Sequence, residues 1–326
     1  MKKINIKQQK SLKENKNKKI KALVLFSGGL DSRLVAKILK EQSLEVELLY
    51  FMFPLGCGCC NSLECSFNFS QKESSKLTII DCTKGKLFEE YIKMIKNPKH
   101  GRGSSMNPCI DCKIFMFKKA GEYAKKHKIR IIATGEVVGE RPMSQNVRAM
   151  KVIDDNIGCE LLRPLSAKLL PETKAEKEKL VNREKFFDIN GRSRTIQMEL
   201  ARKYNITYPS PAGGCFLCEK AFGNRIKDIL LYEKHITPEK FSTLGLFRHF
   251  RSKGKILLGR NHEENLRLQE LNKKIKYNVI IPPKTNPGPT CLYEKSSDEN
   301  LARELQQTYT NKDLKKREAL FEKFGV

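Results

Sequence analysis

Between Lys21 and Thr134 the chain alternates short, continuous apolar runs with longer Lys-rich stretches whose apolar residues recur every three or four positions. The first run is Ala22-Leu23-Val24-Leu25-Phe26; a Gly-Gly turn follows, then Leu34, Val35, Ile38 and Leu39 at helical spacing. That order predicts a strand, a tight loop and a helix. Further runs over 46–53, 77–81 and 129–134 predict buried strands, and the period over 112–126 predicts a helix. Strands of this kind alternating with helices imply an α/β fold with a parallel, doubly wound sheet.

The pattern changes elsewhere. Residues 1–19 are almost wholly Lys, Asn, Gln and Ser, too polar to bury a core, and read as a basic flexible tail. Residues 20–170 carry the strand–helix alternation, 171–231 read as a cysteine-bearing extension, and 232–326 shift to a smaller α+β pattern.

Composition narrows the partners. The 326 residues are 39% hydrophobic, enough for one or two cores. Lys and Arg number 63 against 37 Asp and Glu, a net charge of +26. That excess suits a polyanionic partner, or equally a Lys-rich solvated surface. No apolar run approaches the roughly 20 residues of a bilayer span, and the opening residues lack the apolar core of a signal peptide, so the expectation is a cytoplasmic protein with no membrane partner. Eleven cysteines without an export signal favour metal binding or thiol chemistry over disulfides.

Candidate chemistry begins at Ser27-Gly28-Gly29-Leu30-Asp31-Ser32, directly after the first strand. Two glycines let the backbone approach a ligand, while serine hydroxyls and the free N–H groups opening the next helix can cradle phosphate. Asp31 is placed to hold Mg²⁺. Ala133-Thr134-Gly135-Glu136 ends another strand at the same sheet edge, and 139–145 follows with Arg141, Ser144 and Gln145 on an irregular stretch. Asn107-Pro108-Cys109-Ile110-Asp111-Cys112 puts two thiols at a helix start, where N–H groups lower thiol pKa values. Gly213-Gly214-Cys215-Phe216-Leu217-Cys218 is a second pair, and two such pairs would also suit tetrahedral Zn²⁺. Cys57, Cys59, Cys60 and Cys65 form a cysteine-dense stretch open to an accessory or sulfur-carrying role, whereas Cys82, Cys159 and Cys291 stand alone. Arg192 and Arg194, with the Lys and Arg of 161–171, sit among turn residues suited to phosphate contacts or to surface ion pairs.

The Ser27–Ser32 string resembles the PP-loop of the ATP pyrophosphatases, enzymes with an adenine nucleotide alpha hydrolase fold that cleave ATP between the α- and β-phosphates. The resemblance implies that Ser27, Gly28, Gly29, Asp31 and Ser32, with Thr134 and Gly135, bind ATP and metal. The cysteine arrangement is similar to that of the iron–sulfur tRNA thiolases of this superfamily, the thiouridine synthetase branch. It implies a [4Fe–4S] cluster on Cys109, Cys112 and Cys215, catalytic roles for Asp31, Cys109 and Cys215, and Cys218 as a fourth ligand or a sulfur acceptor. The implied partners are tRNA, a sulfur donor (sulfide or a cysteine desulfurase system) and, in some arrangements, a second copy as a homodimer. Lys255-Ile256-Leu257-Leu258-Gly259-Arg260-Asn261 and the turn at 286–290 resemble the NFACT-type RNA-binding domain, which implies RNA contacts from Arg248, Arg251 and Arg260 and base stacking by Phe247 and Phe250; Arg141, Arg192 and Arg194, on their own loops, are further candidates for RNA contact. The alternatives are a cluster-free persulfide thiolase, an ATP-dependent amide or amine ligase on the same fold, and a non-enzymatic zinc-containing RNA-binding protein.

Overall fold

The structure is a computed structural model and describes residues 19–54, 63–209 and 215–326. The tail over 1–18 and Cys57, Cys59 and Cys60 lie outside the described residues, as does the Cys65 side chain. The chain divides into two compact units. One holds the described residues up to Cys82 together with Pro98–Gly101 and those of Pro108–Gly214; the other holds Thr83–Asn97, Arg102–Asn107 and Cys215–Val326.

In the first unit β1 (Lys21–Leu25) leads into α1 (Leu30–Lys40), β2 (Glu45–Met52), α2 (Leu63–Lys72) and β3 (Lys76–Asp81). After α3 (Gly85–Lys96), which belongs to the second unit, come α4 (Cys109–Lys126), β4 (Ile131–Thr134), α5 (Val147–Ile157) and α6 (Thr195–Lys203). The sheet order is β3-β2-β1-β4, and every pairing is parallel. This is the α/β sheet that the apolar runs predict. Ala22, Leu23 and Val24 are fully buried because helices cover both faces of a parallel sheet, so no position of the strand alternates toward water. Edge strand β3 is only half-buried, and its sequence mixes Lys76 and Thr78 with the apolar residues.

The α1 residues Leu34, Val35, Ile38 and Leu39 share a core with Val46 and Leu48 of β2 and with Val181, Phe186, Ile189, Leu200 and Ala201. Residues well past 170 therefore complete this core. Leu162 adds a parallel bridge to Ala133, donating its N–H to the Ile132 carbonyl at 2.8 Å and accepting from Thr134 at 2.9 Å.

The second unit continues with α7 (Lys220–Tyr232), β5 (Arg248–Arg251), β6 (Lys255–Leu258), α8 (His262–Ile275), β7 (Asn278–Ile280), β8 (Cys291–Tyr293), α9 (Glu299–Thr310) and α10 (Leu314–Phe324). Its sheet is antiparallel in the order β5-β6-β8-β7. Phe247 and Phe250 are corrected here: both are essentially inaccessible, Phe250 among Ile256, Leu258 and Leu305, Phe247 among Leu257, Leu268 and Leu292. Apolar burial holds each ring, and neither face is open to a base.

His249 lies between those two rings in sequence and is equally buried. Its Nε2–H donates to the carbonyls of Thr243 and Leu246, both at 2.9 Å, while Nδ1 is buried without a partner among the described residues. Burial, then the charges of Lys255 and Arg225, push the imidazole down to about 3. A folded-state pKa below the unfolded value near 6.5 means that the unfolded chain takes up the proton first, so stability falls as pH drops below about 6.5. We expect this one group to remove about 2 kcal/mol of stability between pH 7 and pH 5. Urea midpoints of the wild type and His249→Gln at both pH values check this; an equal acid loss in the two proteins would contradict it.

Candidate active site

The strand order reverses between β1 and β4, since β2 and β3 extend to one side of β1 and β4 lies on the other. At such a switch point the loops leaving the carboxyl ends of two neighbouring strands part and leave a crevice. Here the two loops are Phe26–Gly29 and Gly135–Val138, and the crevice is a cavity of about 260 Å³ within the first unit.

Its floor is the opening of α1. Gly28 has φ +81°, a left-handed conformation that a side chain would strain, so the chain can reverse directly from strand to helix. Gly29 occupies the N-cap position and no side chain caps the first turn among the described residues, which leaves backbone N–H groups for an anion. The Ser32 hydroxyl donates to the Gly29 carbonyl at 2.9 Å and lies 3.4 Å from the Ser27 hydroxyl. Gly135 lies against this turn. A Cβ there would sit 2.8 Å from both the Asp31 carbonyl carbon and the Ser32 nitrogen, so only glycine lets the β4 loop rest on the helix start. We expect Gly135→Ala to cost about 1–3 kcal/mol of stability by overpacking and to weaken the ATP-dependent rise in melting temperature. An ATP-induced shift equal to that of the wild type would show that the close approach is dispensable.

Two oxygens in the cavity lack partners among the described residues: Asp31 Oδ1 and Gln145 Oε1, both buried. Burial first, then the nearby Glu140 carboxylate, pushes the Asp31 carboxyl up to about 6, against the opposing pull of Arg194 and Arg141. A carboxylate held dry with a bare oxygen suits a divalent cation, which would supply the charge that the protein withholds. The residues thus fit Mg²⁺ by donor type. Phe51, Phe53, Met116 and Phe117 form an apolar wall suited to a flat base, and Lys113 and Arg141 bring positive charge to the same space.

Several residues of this site escape sequence reasoning. Arg33 is 4% exposed, donates to the Gly28 carbonyl at 2.7 Å and the Thr207 carbonyl at 3.0 Å, and lies over the Phe69 ring, thereby fixing the loop from behind. Glu136, also buried, accepts from Lys113 and from Arg163 Nε at 2.9 Å, and Arg163 is forked on Asp154 at 2.9 and 2.7 Å. These cations hold the Glu136 carboxyl below its ordinary value although its burial alone would raise it. Lys113 was within reach of periodicity, because Lys113, Met116 and Phe117 share one helical face at i, i+3 and i+4. Its pairing with Glu136 was not.

The four signature cysteines are half-buried and fall in different units. Cys109 and Cys112 occupy the first turn of α4, where Asp111 accepts from the Lys99 and His100 backbone N–H groups, both at 2.9 Å, and ties the preceding loop. Cys215 and Cys218 bracket a single 3₁₀ turn in which the Cys218 N–H donates to the Cys215 carbonyl at 2.8 Å. Thiolate donors suit iron–sulfur or zinc. Among the described residues no three Cys, His, Asp or Glu side chains form a group able to hold a metal ion.

Arg141 and Arg192 are exposed, Arg141 at the cavity, while Arg194 pairs with Glu140 at 3.0 Å. In the second unit Arg248 donates to the Gly259 carbonyl at 2.9 Å, and Arg260 pairs with Glu264 at 2.7 Å. Arg251 is forked on Asp228, which also accepts from Lys255 at 3.0 Å, so its charge is matched within the fold.

Comparison with known proteins gives the family. The family described as Thiamine biosynthesis protein (ThiI) matches residues 18–185, just over half of the 326. The chain belongs to the ThiI family. The matched span contains the Ser27–Ser32 loop, Gly135 and the Cys109–Cys112 pair. It is 27% identical over 154 residues to a probable tRNA sulfurtransferase of Halothermothrix orenii, covering 45% of this chain and 35% of that protein. Against a probable tRNA sulfurtransferase of Methanocaldococcus jannaschii it is 28% identical over 145 residues, covering 44% and 36%. The chain therefore spans about a third of the length of these relatives. Among solved structures, the U34-tRNA thiolase NcsA of Methanococcus maripaludis with its [4Fe-4S] cluster aligns over 74% of this chain and 77% of its own at 19% identity and a TM-score of 0.37. Among the described residues no helix is long and apolar enough to cross a membrane.

Proposed function

We propose that this ThiI-family chain is an ATP-dependent tRNA sulfurtransferase that adenylates a carbonyl oxygen of a uridine and replaces that oxygen with sulfur. The observation that carries the proposal is the cavity between β1 and β4, where an uncapped helix start meets an Asp31 carboxylate with one oxygen unpartnered among the described residues. That combination suits a polyphosphate with a divalent cation better than it suits a neutral ligand.

In the proposed reaction the α1 N–H groups with the Ser27 and Ser32 hydroxyls hold the pyrophosphate end of ATP. Asp31 would hold Mg²⁺, which would supply charge neutralisation for the departing phosphates. Arg141 keeps positive charge beside the triphosphate, Lys113 holds Glu136 at the cavity edge, and the aromatic wall excludes water from the adenine. The uridine carbonyl oxygen attacks the α-phosphorus, the α–β bond breaks, and pyrophosphate leaves with its electron pair. The base then carries its former oxygen as part of AMP, a far better leaving group than oxide. Hydrosulfide attacks the activated carbon, AMP departs with the oxygen, and loss of the sulfur-bound proton leaves the thiocarbonyl. A [4Fe–4S] cluster on Cys109, Cys112 and Cys215 would supply the sulfur in reduced, nucleophilic form; with Zn²⁺ there instead, the cysteines would be structural. The proposed partners are tRNA and a sulfide or cysteine desulfurase donor, and a cytoplasmic place of action accompanies them.

Nucleoside mass spectrometry of tRNA from a deletion strain tests this. We expect one thiouridine species to disappear and to return with the wild-type gene but not with an Asp31→Ala gene. An unchanged thionucleoside profile would overturn the assignment.

A further inference from the structure

The second unit carries an open cavity of about 440 Å³ that plays no part in the chemistry above. Arg248, Arg260, Lys312 and Arg317 line it, and no Asp or Glu is among its lining residues. Arg260 is neutralised by the buried Glu264, but Arg248 and Arg317 are not matched in this way. Arg248 donates to the Gly259 carbonyl at 2.9 Å and Arg317 to the Tyr309 carbonyl at 2.7 Å, while both guanidinium carbons lie 4.7 Å from the Tyr309 ring centroid. Carbonyls and a ring orient the two forks without cancelling their charge. Arg317 Nε is buried and has no partner among the described residues. Burial, with the like charges of Arg317 and Arg260, holds the Arg248 guanidinium below its ordinary value against the opposing pull of Tyr309 and Glu264.

The facing wall is firm. Asn265 donates to the Gly288 carbonyl at 3.1 Å and accepts from the Thr290 N–H at 2.9 Å. Gly288 lies so close to Thr310 that a Cβ would come within 2.1 Å of its Oγ1. Two oriented guanidiniums that make no ion pair among the described residues and line the same cavity as this wall are relieved by an anion between them, and planar forks match phosphate oxygens.

The geometry points to a phosphate-binding site on the second unit that grips the backbone of RNA, with Arg248 and Arg317 as the clamp, Tyr309 as their support and Lys312 at the rim. Tyr309 already carries both arginines, so the pocket reads phosphate position and not base identity. The RNA is tRNA if the function proposed above holds, and the inference rests on that reading for its substrate. It differs from the sequence-based expectation in taking Arg317 and Lys312 as contacts and in leaving Arg251 to Asp228.

The test measures the affinity of the full chain for tRNA across a salt series. Lys312→Gln/Arg317→Gln should bind at least tenfold more weakly, with a slope of log K against log salt shallower by about one to two. Lys253→Gln/Lys295→Gln removes the same formal charge from exposed positions outside the cavity and should change affinity less than twofold. Lys312→Glu alters one exposed side chain only and should lose affinity with its melting temperature kept, which separates binding from folding. ATP-induced stabilisation should be the same in all variants. Equal losses in the two double variants, or wild-type affinity in Lys312→Glu, overturn the site. A loss that appears equally with poly-glutamate of matched charge overturns the phosphate assignment in favour of an acidic protein. Wild-type protein that binds no tRNA at any salt removes the tRNA reading itself, a result that the variant comparison cannot mimic.

Discussion

Replacing Asp31 with alanine is expected to abolish conversion of ATP to AMP and pyrophosphate while leaving the fold and the affinity for tRNA nearly intact. The carboxylate is buried, one of its oxygens has no partner among the described residues, and its pKa is pushed up to about 6 chiefly by burial. The fold itself gains little from such a group, so its removal should not destabilise the chain. Its worth lies in the metal it would hold, and loss of that charge stabilisation is expected to slow adenylation on the order of a thousandfold. Release of labelled pyrophosphate in the presence of tRNA measures the effect, and Asp31→Asn, which keeps the volume, should be nearly as slow. Turnover within tenfold of the wild type would falsify the assignment of Asp31 to the metal and, with it, the reading of the cavity.

The second large effect concerns the cysteines. Anaerobically purified protein is expected to be brown and to contain iron with acid-labile sulfide. Changing Cys109, Cys112 or Cys215 to serine should remove the colour, the iron and the thiolation, each by a large factor. Adenylation should persist, because Ser27–Ser32 and Asp31 are placed by β1 and α1 and do not draw on the α4 turn that carries Cys109 and Cys112. Cys218→Ser distinguishes ligand from carrier: full activity means that three cysteines suffice, whereas an intact cluster with no thiolation makes Cys218 the residue that hands on sulfur. Colourless, zinc-loaded protein that still thiolates tRNA would refute the cluster, and metal-free active protein would favour a persulfide route.

How far these features were legible in the chain follows from the range of the interactions behind them. The runs at β1, β2 and β4 are readable because a strand buried on both faces is apolar at nearly every position, Glu47 of β2 being the buried exception that Lys76, Thr78 and Tyr123 satisfy, and the helix after Gly29 is readable because Leu34, Val35, Ile38 and Leu39 repeat with its pitch. Phe247 and Phe250 show the limit of a resemblance set against composition. Aromatic residues beside arginines fit a stacking surface or a core equally well, and packing decides for the core: Phe250, opposite Ile256 in the β5–β6 pair, lies in one apolar cluster, and Phe247, just before β5, lies in another.

What the amino-acid sequence by itself determined here is local: the strands, the first helix, the glycine-rich turn and the cysteine pairs, each set by the order of neighbouring residues and by backbone sterics. What only the tertiary structure decided is which distant groups share a space. Gly135 meets Asp31, Arg33 reaches Thr207, Lys113 neutralises Glu136, and Arg317 joins Arg248 at Tyr309. Such pairings follow from how the sheet and its loops close over long stretches of chain, and they depend on burial and distance in three dimensions, neither of which leaves a period or a spacing along the sequence.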